Sequence, residues 1–321
     1  MRFAVIGNGK MAIDTLLTLA ATPGAEVALC LGDPRHETAQ SRLAVACAER
    51  CVPYRISGNI NDADTIAAMR EVVPDYLVSA NNFQIFRAPS LAVPRLGVVN
   101  FHNAPLPRYG GLNACSWALL NDEREHGVTW HLVDGGIDSG PILAQHRFPI
   151  EPEDTAISLI SRCIRLGSEV FRSVAKDLVE GTARPRSQDR ANRTYFGVKD
   201  RPWGGDLPWW EPAADLHRLA RALSFHPMPN MFYRPRLAVD PSKPLFAERI
   251  GVRPHMAATR PGTVVETADD EITVELCDGL LMVGGLVDGG GAAVDGHEAV
   301  ERFGLKAGSQ LSRPLEQGGR G

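Results

Sequence analysis

The sequence predicts an α/β fold: a doubly wound, Rossmann-like parallel sheet domain followed by a small, β-rich, OB-like C-terminal domain. Three observations carry that expectation. Short apolar runs alternate with amphipathic stretches through the first half of the chain, the pattern of strands and crossover helices. The turn "GNGKMA", of the form G-x-G-x-x-A, follows the first apolar run and opens a helix. Further on, "PGTVVETADDEITVELCDGLLMVGGL" alternates apolar and polar residues between turn formers, as short strands do.

In chain order, "RFAVIG" reads as a buried strand and "KMAIDTLLTLAAT" as the helix after it. "EVALCLGD" is a second strand, followed by a helical stretch near "ETAQSRLAVACAERC"; "VPYRIS" is a third, with "ADTIAAMREVV" as its helix. "DYLVSA", "GVVNFHN" and "GVTWHLVD" complete the expected parallel sheet. "TAISLISRCIRLGSEVFRSVAKDLVEG" is a long amphipathic helix that closes a first domain at 1–190. Residues 191–212 are rich in aromatics, Pro and Gly and read as a linker. The helix "AADLHRLARALS" then opens a second domain at 213–313, and 314–321 reads as a disordered tail.

Composition narrows the function. With 44% hydrophobic residues the chain can bury a core, and a net charge of −4 does nothing to recruit a nucleic-acid backbone. No stretch of eighteen apolar residues occurs and "MRFAVIGNGK" has no signal-peptide cleavage region, so a soluble cytoplasmic protein is expected, without a membrane partner. The six cysteines are scattered. Cys47 and Cys51 share a helix face, but no second pair offers the remaining zinc ligands, so reduced thiols and no metal are expected.

The glycine turn taken alone, with Asp33 near the end of the second strand, suggests a nicotinamide-dependent oxidoreductase. That reading is disfavoured because the richest polar constellation lies far downstream, around residue 100. A helix N-terminus receives any anion or amine substrate, which makes Asn8 and Lys10 candidate substrate contacts.

The constellation begins in "NFHNAPLPRYGG". Side chains two apart in a strand share a face, so Asn100 and His102 point together at the end of an apolar strand. Pro105 and Pro107 stiffen the exit, and Gly110 and Gly111 let the chain turn. The second part is "HLVDGGIDSGPIL", a loop with Asp134, Gly135, Gly136, Asp138 and Gly140. Two carboxylates are too few for a dedicated calcium site. A carboxylate beside an imidazole moves protons, and Asn with His donates hydrogen bonds to a developing oxyanion. Cys115 and Ser116 lie in a helical stretch, so a covalent enzyme intermediate is not required. His131 is open between a core and a supporting polar role.

In combination, "NFHNAPLPRYGG" and "SWALLNDEREHGVTWHLVDGGIDSGPIL" resemble the tetrahydrofolate-dependent formyltransferases, which include the methionyl-tRNA, glycinamide-ribonucleotide and amino-sugar enzymes. The resemblance covers about residues 1–200 well and the remainder loosely. It implies a catalytic trio of Asn100, His102 and Asp138, with Asn and His polarising the formyl group of 10-formyltetrahydrofolate and Asp helping to move the amine proton. It also implies that backbone of Phe83, Gln84, Ile85 and Phe86 holds the pterin, opposite a wall of Asp134, Gly135, Gly136 and Ile137. Gly111, Leu112 and Asn113 are the candidate acceptor contacts. One departure is Ala104, where many members of the family have serine.

"TYFGVKDRPWGGDLPWW" and "ARALSFHPMPNMFYRPRL" are similar to formylating domains of peptide natural-product assembly. The acceptor this implies is an amino acid, free or bound to a carrier protein. Amino-sugar and methionyl-tRNA formylation remain alternatives, as does a non-catalytic folate- or carrier-binding relative.

Overall fold

The structure is a computed structural model that describes residues 1–240, 242–254 and 260–312. The chain divides into two compact units. Met1–Ala114, Arg124–Ile150 and Leu159–Phe196 form the first; Cys115–Glu123, Glu151–Ser158 and the described residues from Gly197 on form the second.

The elements, in chain order, are β1 (Arg2–Gly7), α1 (Gly9–Ala21), β2 (Glu26–Gly32), α2 (Arg42–Ala48), β3 (Tyr54–Ile56), α3 (Ala63–Glu71), β4 (Tyr76–Ala80), α4 (Ala88–Leu91) and β5 (Gly97–His102). Then follow β6 (Gly110–Gly111), α5 (Ala114–Leu120), β7 (Glu125–Leu132), β8 (Ile142–Pro149), α6 (Ala156–Glu180) and β9 (Tyr195–Phe196). The main sheet has seven strands in the order β3-β2-β1-β4-β5-β7-β8.

The first five are parallel, each joined to the next by a crossover. The expectation of a wholly parallel sheet is corrected at its other edge: β7 runs antiparallel to β5, and β8 antiparallel to β7. The short connection 133–141 turns β7 straight back into β8, and a chain that reverses in so few residues pairs antiparallel; between β5 and β7 the chain instead runs through the long segment 103–124 and re-enters the sheet in the opposite direction. α2 also ends earlier than expected, at Ala48, which leaves Cys51 exposed beyond it rather than sharing a face with Cys47.

On one face, Ile6, Leu29, Leu31, Ile66, Met69, Leu77 and Val98 pack as a buried apolar cluster. On the strands nearer the other edge, Trp130 packs on Phe101 (ring centroids 5.4 Å apart) and on Phe171 of α6 (4.4 Å). A Cβ on Gly167 of α6 would lie 2.3 Å from the Phe101 ring, so glycine sets how closely that helix approaches the sheet. Residues 191–196, read from sequence as the start of a linker, hydrogen-bond into this unit, where β9 pairs with β6.

The second unit contains α7 (Ala213–Ala222), β10 (Arg236–Asp240), β11 (Lys243–Pro254), β12 (Val264–Thr267), β13 (Glu271–Glu275), β14 (Gly279–Asp288), β15 (Ala293–Val294) and α8 (Gly296–Phe303). Its strands pair antiparallel in the order β10-β11-β14-β13-β12, with β15 on β14. Ile272 lies opposite Val283 and Val274 opposite Leu281, and all four are buried, the alternation the sequence shows. Among the described residues no pairing joins β12 to β10, so the OB-like barrel expected from sequence is seen as a six-stranded sheet. The expected tail, 314–321, lies outside the described residues.

Gly7 ends β1 where an added Cβ would sit 1.9 Å from the Ala80 carbonyl oxygen of β4. That contact is with backbone, which no rotamer change relieves. Gly7→Ala is expected to cost about 2–3 kcal/mol by overpacking, read as a fall in the urea midpoint; an unchanged midpoint would show that the strands separate freely at this turn.

Candidate active site

β5 and β7 build the site through their register. Asn100 lies directly opposite His131, and His102 opposite Thr129, so these side chains share one face of the sheet. A bulge between Trp130 and His131 in the pairing with β8 sits beside them, where bulges commonly re-aim a side chain. The Asn100 Nδ2 to His131 Nε2 distance is 3.2 Å.

The 133–141 loop then brings Asp138 over this face. One carboxylate oxygen lies 3.6 Å from His102 Nδ1, and the other lies 3.5 Å from His131 Nε2. The first also accepts a hydrogen bond from the Gly111 backbone N–H at 2.8 Å. Burial alone would push the Asp138 carboxyl up. The His102 ring, the contact with His131 and the Gly111 N–H outweigh it and hold the group far below the usual carboxylate range.

The imidazoles are anchored on their far sides. His102 Nε2 is 2.7 Å from the Tyr109 carbonyl and therefore carries a proton there. His131 Nδ1 is 2.8 Å from the Leu132 carbonyl and donates to it in the same way. A neutral His131 accepts from Asn100 at Nε2, whereas a charged one donates from that atom to Asp138. The sequence left His131 open; its register opposite Asn100 places it inside the constellation.

The exit from β5 is fixed by two polar side chains. Thr129 Oγ1 donates to the Ala104 carbonyl at 2.7 Å and accepts from the Leu106 N–H at 3.2 Å. Gln145 Nε2 donates to the Leu106 carbonyl at 2.8 Å. Ala104 is fully buried, so its methyl fills a place where a serine hydroxyl would need a partner. Asp138 itself has φ +50°, a left-handed conformation that a non-glycine residue holds only when its surroundings require it. The requirement comes from Gln188, whose Nε2 donates to the carbonyls of Asp138 (3.0 Å) and Gly140 (2.7 Å). Sequence reasoning missed Gln188, because nothing in "RSQDRAN" shows that it lies across the loop.

Of the candidate acceptor contacts, Gly111 donates to Asp138, the Leu112 N–H donates to the Phe196 carbonyl at 2.8 Å, and Asn113 has φ +57° just before α5. Leu112 and Ile137 are exposed apolar side chains. Asp134 organises its own loop, accepting from the Gly136 N–H at 2.9 Å and the Ser139 hydroxyl at 2.6 Å. Phe83 and Ile85 are exposed, and Phe86 packs against the apolar cluster. The Gln84 side chain is bonded to the Ile60 N–H (2.5 Å), the Ser57 carbonyl (2.9 Å) and Asp33 (3.2 Å).

The other two candidates belong to the glycine turn. Asn8 is buried; its amide donates to the Asn81 carbonyl at 3.0 Å and accepts from the Asp33 N–H at 3.2 Å. Lys10 pairs with Asp14 at 2.6 Å, one helical turn on. The Gly9 N–H at the start of α1 donates to buried Glu37 at 2.6 Å, so a protein carboxylate already sits where a dinucleotide phosphate would bind.

An ionised carboxylate between two imidazoles, beside a carboxamide, suits a transferase that passes an acyl group between two bound molecules. Residues 1–175 match the family described as formyl transferase, and the chain belongs to that family: it is an enzyme that transfers one-carbon formyl groups. It is 31% identical to the methionyl-tRNA formyltransferase of Roseiflexus sp. over 84% of this chain and 82% of that protein. Among solved structures, it resembles an N-formyltransferase from Helicobacter canadensis in complex with folinic acid and dTDP-3-aminofucose. The TM-score is 0.63 at 18% identity, covering 88% of this chain and 98% of that one. HypX from Aquifex aeolicus matches with a TM-score of 0.64 at 15% identity, covering all of this chain and 52% of its own.

The depressed Asp138 carboxyl has a consequence for stability. Because its folded-state value lies below the unfolded one, its contribution is complete above about pH 4 and is lost as pH falls further, through the folded-state value. Asp138→Asn is therefore expected to be less stable than wild type at pH 7, with the gap closing below about pH 4. Urea midpoints across pH 2–7 test this, and a constant gap would show that Asp138 is not the linked group.

Proposed function

We propose that the enzyme moves a formyl group from 10-formyltetrahydrofolate to the amine of a small molecule, an amino acid in free or carrier-bound form. The observation that carries this reading is the continuous set Asn100–His131–Asp138–His102, assembled on one sheet face from β5, β7 and the loop 133–141. The donor set suits a formyl group. An amide with two N–H donors and an imidazole can both face a carbonyl oxygen, and exposed Phe83 and Ile85 offer apolar surface to a flat heterocycle.

When bound, the folate supplies the formyl carbon and the leaving nitrogen. Asn100 gives one N–H to His131 and has a second for the formyl oxygen. With a second proton on the ring, His102 Nδ1, which at 3.6 Å from Asp138 is beyond hydrogen-bond distance, can turn its donor to that oxygen as negative charge develops. Asp138 draws on the attacking amine as it becomes cationic. With its carboxyl held so low it keeps no proton at neutral pH, so it would pass the proton that the amine loses on towards the leaving nitrogen of the folate, which gains one as the C–N bond breaks. The strained backbone at Asp138, tied by Gln188, keeps the carboxylate in place through the transfer.

Support for a small acceptor comes from the net charge of −4, which does not favour an RNA acceptor arm, and from exposed Leu112 and Ile137 flanking the Asp138 contact. A panel of amino acids, hydroxyornithine, carrier-loaded amino acids, amino sugars and methionyl-tRNA, followed by mass spectrometry for the gain of one CO, tests the acceptor. Formylation confined to sugars or tRNA would replace this reading with that one.

His102→Ala and Asp138→Ala are each expected to slow transfer by roughly a hundredfold or more while folding survives; near-wild-type turnover by either variant contradicts the assignment. 5-Formyltetrahydrofolate, a stable look-alike of the donor, is expected to raise the melting temperature by linkage. An unchanged melt at saturating ligand counts against the folate site.

A further inference from the structure

Residues 184–196 form a strap over the loop that carries Asp138. Arg186 pairs backbone-to-backbone with Ile142, Gln188 bonds the Asp138 and Gly140 carbonyls, and Thr194 accepts from the Gly110 N–H and, at its hydroxyl, from the Tyr109 N–H. The strap is strongly basic, with Arg184, Arg186, Arg190 and Arg193 exposed, in a chain whose net charge is −4. Its acid, Asp189, is occupied by the Ala191 N–H (3.1 Å) and the Asn192 amide (2.8 Å).

Arg193 is the member held beside the reacting groups. Its Nη2 donates to the carbonyl of Ile137, the residue before Asp138, at 3.0 Å, and its guanidinium lies over the Tyr195 ring, 5.3 Å from the centroid. No carboxylate among the described residues pairs with it. A guanidinium has five N–H donors in a planar fork suited to carboxylates and phosphates, and the bond to Ile137 uses one. Ile137 and Tyr195, which Arg193 touches, are exposed, as is Leu112 beside Gly111 on the segment that pairs with β9.

We infer that Arg193 reads a negative charge on the acceptor, so that the enzyme selects amines carrying a carboxylate or a phosphate a few bonds from the nitrogen. The inference rests on the formyl-transfer reading of the same site and narrows it to free anionic amines over thioester-tethered ones. Apolar Leu112, Ile137 and Tyr195 would take the carbon skeleton between the amine and its anion.

The test uses the full chain with 10-formyltetrahydrofolate and charge-matched acceptor pairs: glycine and glycinamide, hydroxyornithine and its amide, phosphoethanolamine and ethanolamine. The expected result is at least one pair whose anionic member has a kcat/KM tenfold or more above its neutral partner, with the preferred pair separating carboxylate from phosphate. Arg193→Met, which keeps an apolar stem over Tyr195, is expected to raise KM for that anionic acceptor about tenfold and abolish the preference, leaving kcat and the donor's KM nearly unchanged. Arg193→Lys is expected to restore part of the preference. Equal use of neutral and anionic partners overturns the inference, as does a fall in kcat for both alike, which marks Arg193 as a structural pin of the loop. If the donor binds and no paired amine is formylated, the inference fails alone. If the donor neither shifts the melt nor loses its formyl group, the formyl-transfer reading fails with it.

Discussion

A carboxylate taken out of water must be repaid by close partners, and Asp138 imposes that requirement on the rest of the first unit. Its oxygens are met by His102, His131 and the Gly111 N–H, which come from three different stretches of chain. Each partner is itself anchored: His102 on the Tyr109 carbonyl, His131 on the Leu132 carbonyl, and Gly111 in the short ladder between β6 and β9. The glycine-rich loop is what lets an acid fold back onto the sheet. At Gly140 a side chain would collide with the Leu132 carbonyl, 1.9 Å from an added Cβ.

The sheet separates chemistry from support at the strands concerned. Along β5 and β7, the residues between Asn100, His102, Thr129 and His131 are Phe101 and Trp130, which pair across the ladder and pack on α6. Trp130 Nε1 donates to the Gly167 carbonyl of that helix at 2.9 Å, which satisfies its buried donor and fixes the ring. The period of two in a strand therefore gives each polar group a rigid backing on the opposite face. Rigid support of this kind keeps two imidazoles at 3.5 and 3.6 Å from one carboxylate.

Much of this was legible in the sequence, for physical reasons. Apolar runs and amphipathic stretches located the parallel strands and α6, and the two-residue spacing of Asn100 and His102 put them on one face. The reversal of β7 and β8 was not legible, because an apolar run such as "GVTWHL" fits either strand direction and only its pairing decides. His131 stayed open between a core and a supporting role for the same reason, since its place opposite Asn100 depends on that direction and on the bulge beside it. Arg193 lay in the stretch 191–212, whose composition suggests a linker, and Gln188 at the end of the expected first domain, past its last predicted helix. Their roles come from hydrogen bonds to main-chain carbonyls across the loop, which leave no pattern in sequence.

The glycine turn after β1 shows how one local motif serves different ends. Its tight geometry is dictated by strand packing, since Gly7 passes against the Ala80 carbonyl. The positive end of α1 is then taken by Glu37, and the Asn8 side chain ties the turn to the segments after β2 and β4. A carboxylate at that position stabilises the helix but repels a phosphate or a second carboxylate. A negatively charged ligand therefore finds no welcome at the turn that resembles a dinucleotide site. Among the described residues, positive charge without a carboxylate partner lies instead on the strap beside Asp138, at Arg193, whose guanidinium is bonded to the Ile137 carbonyl.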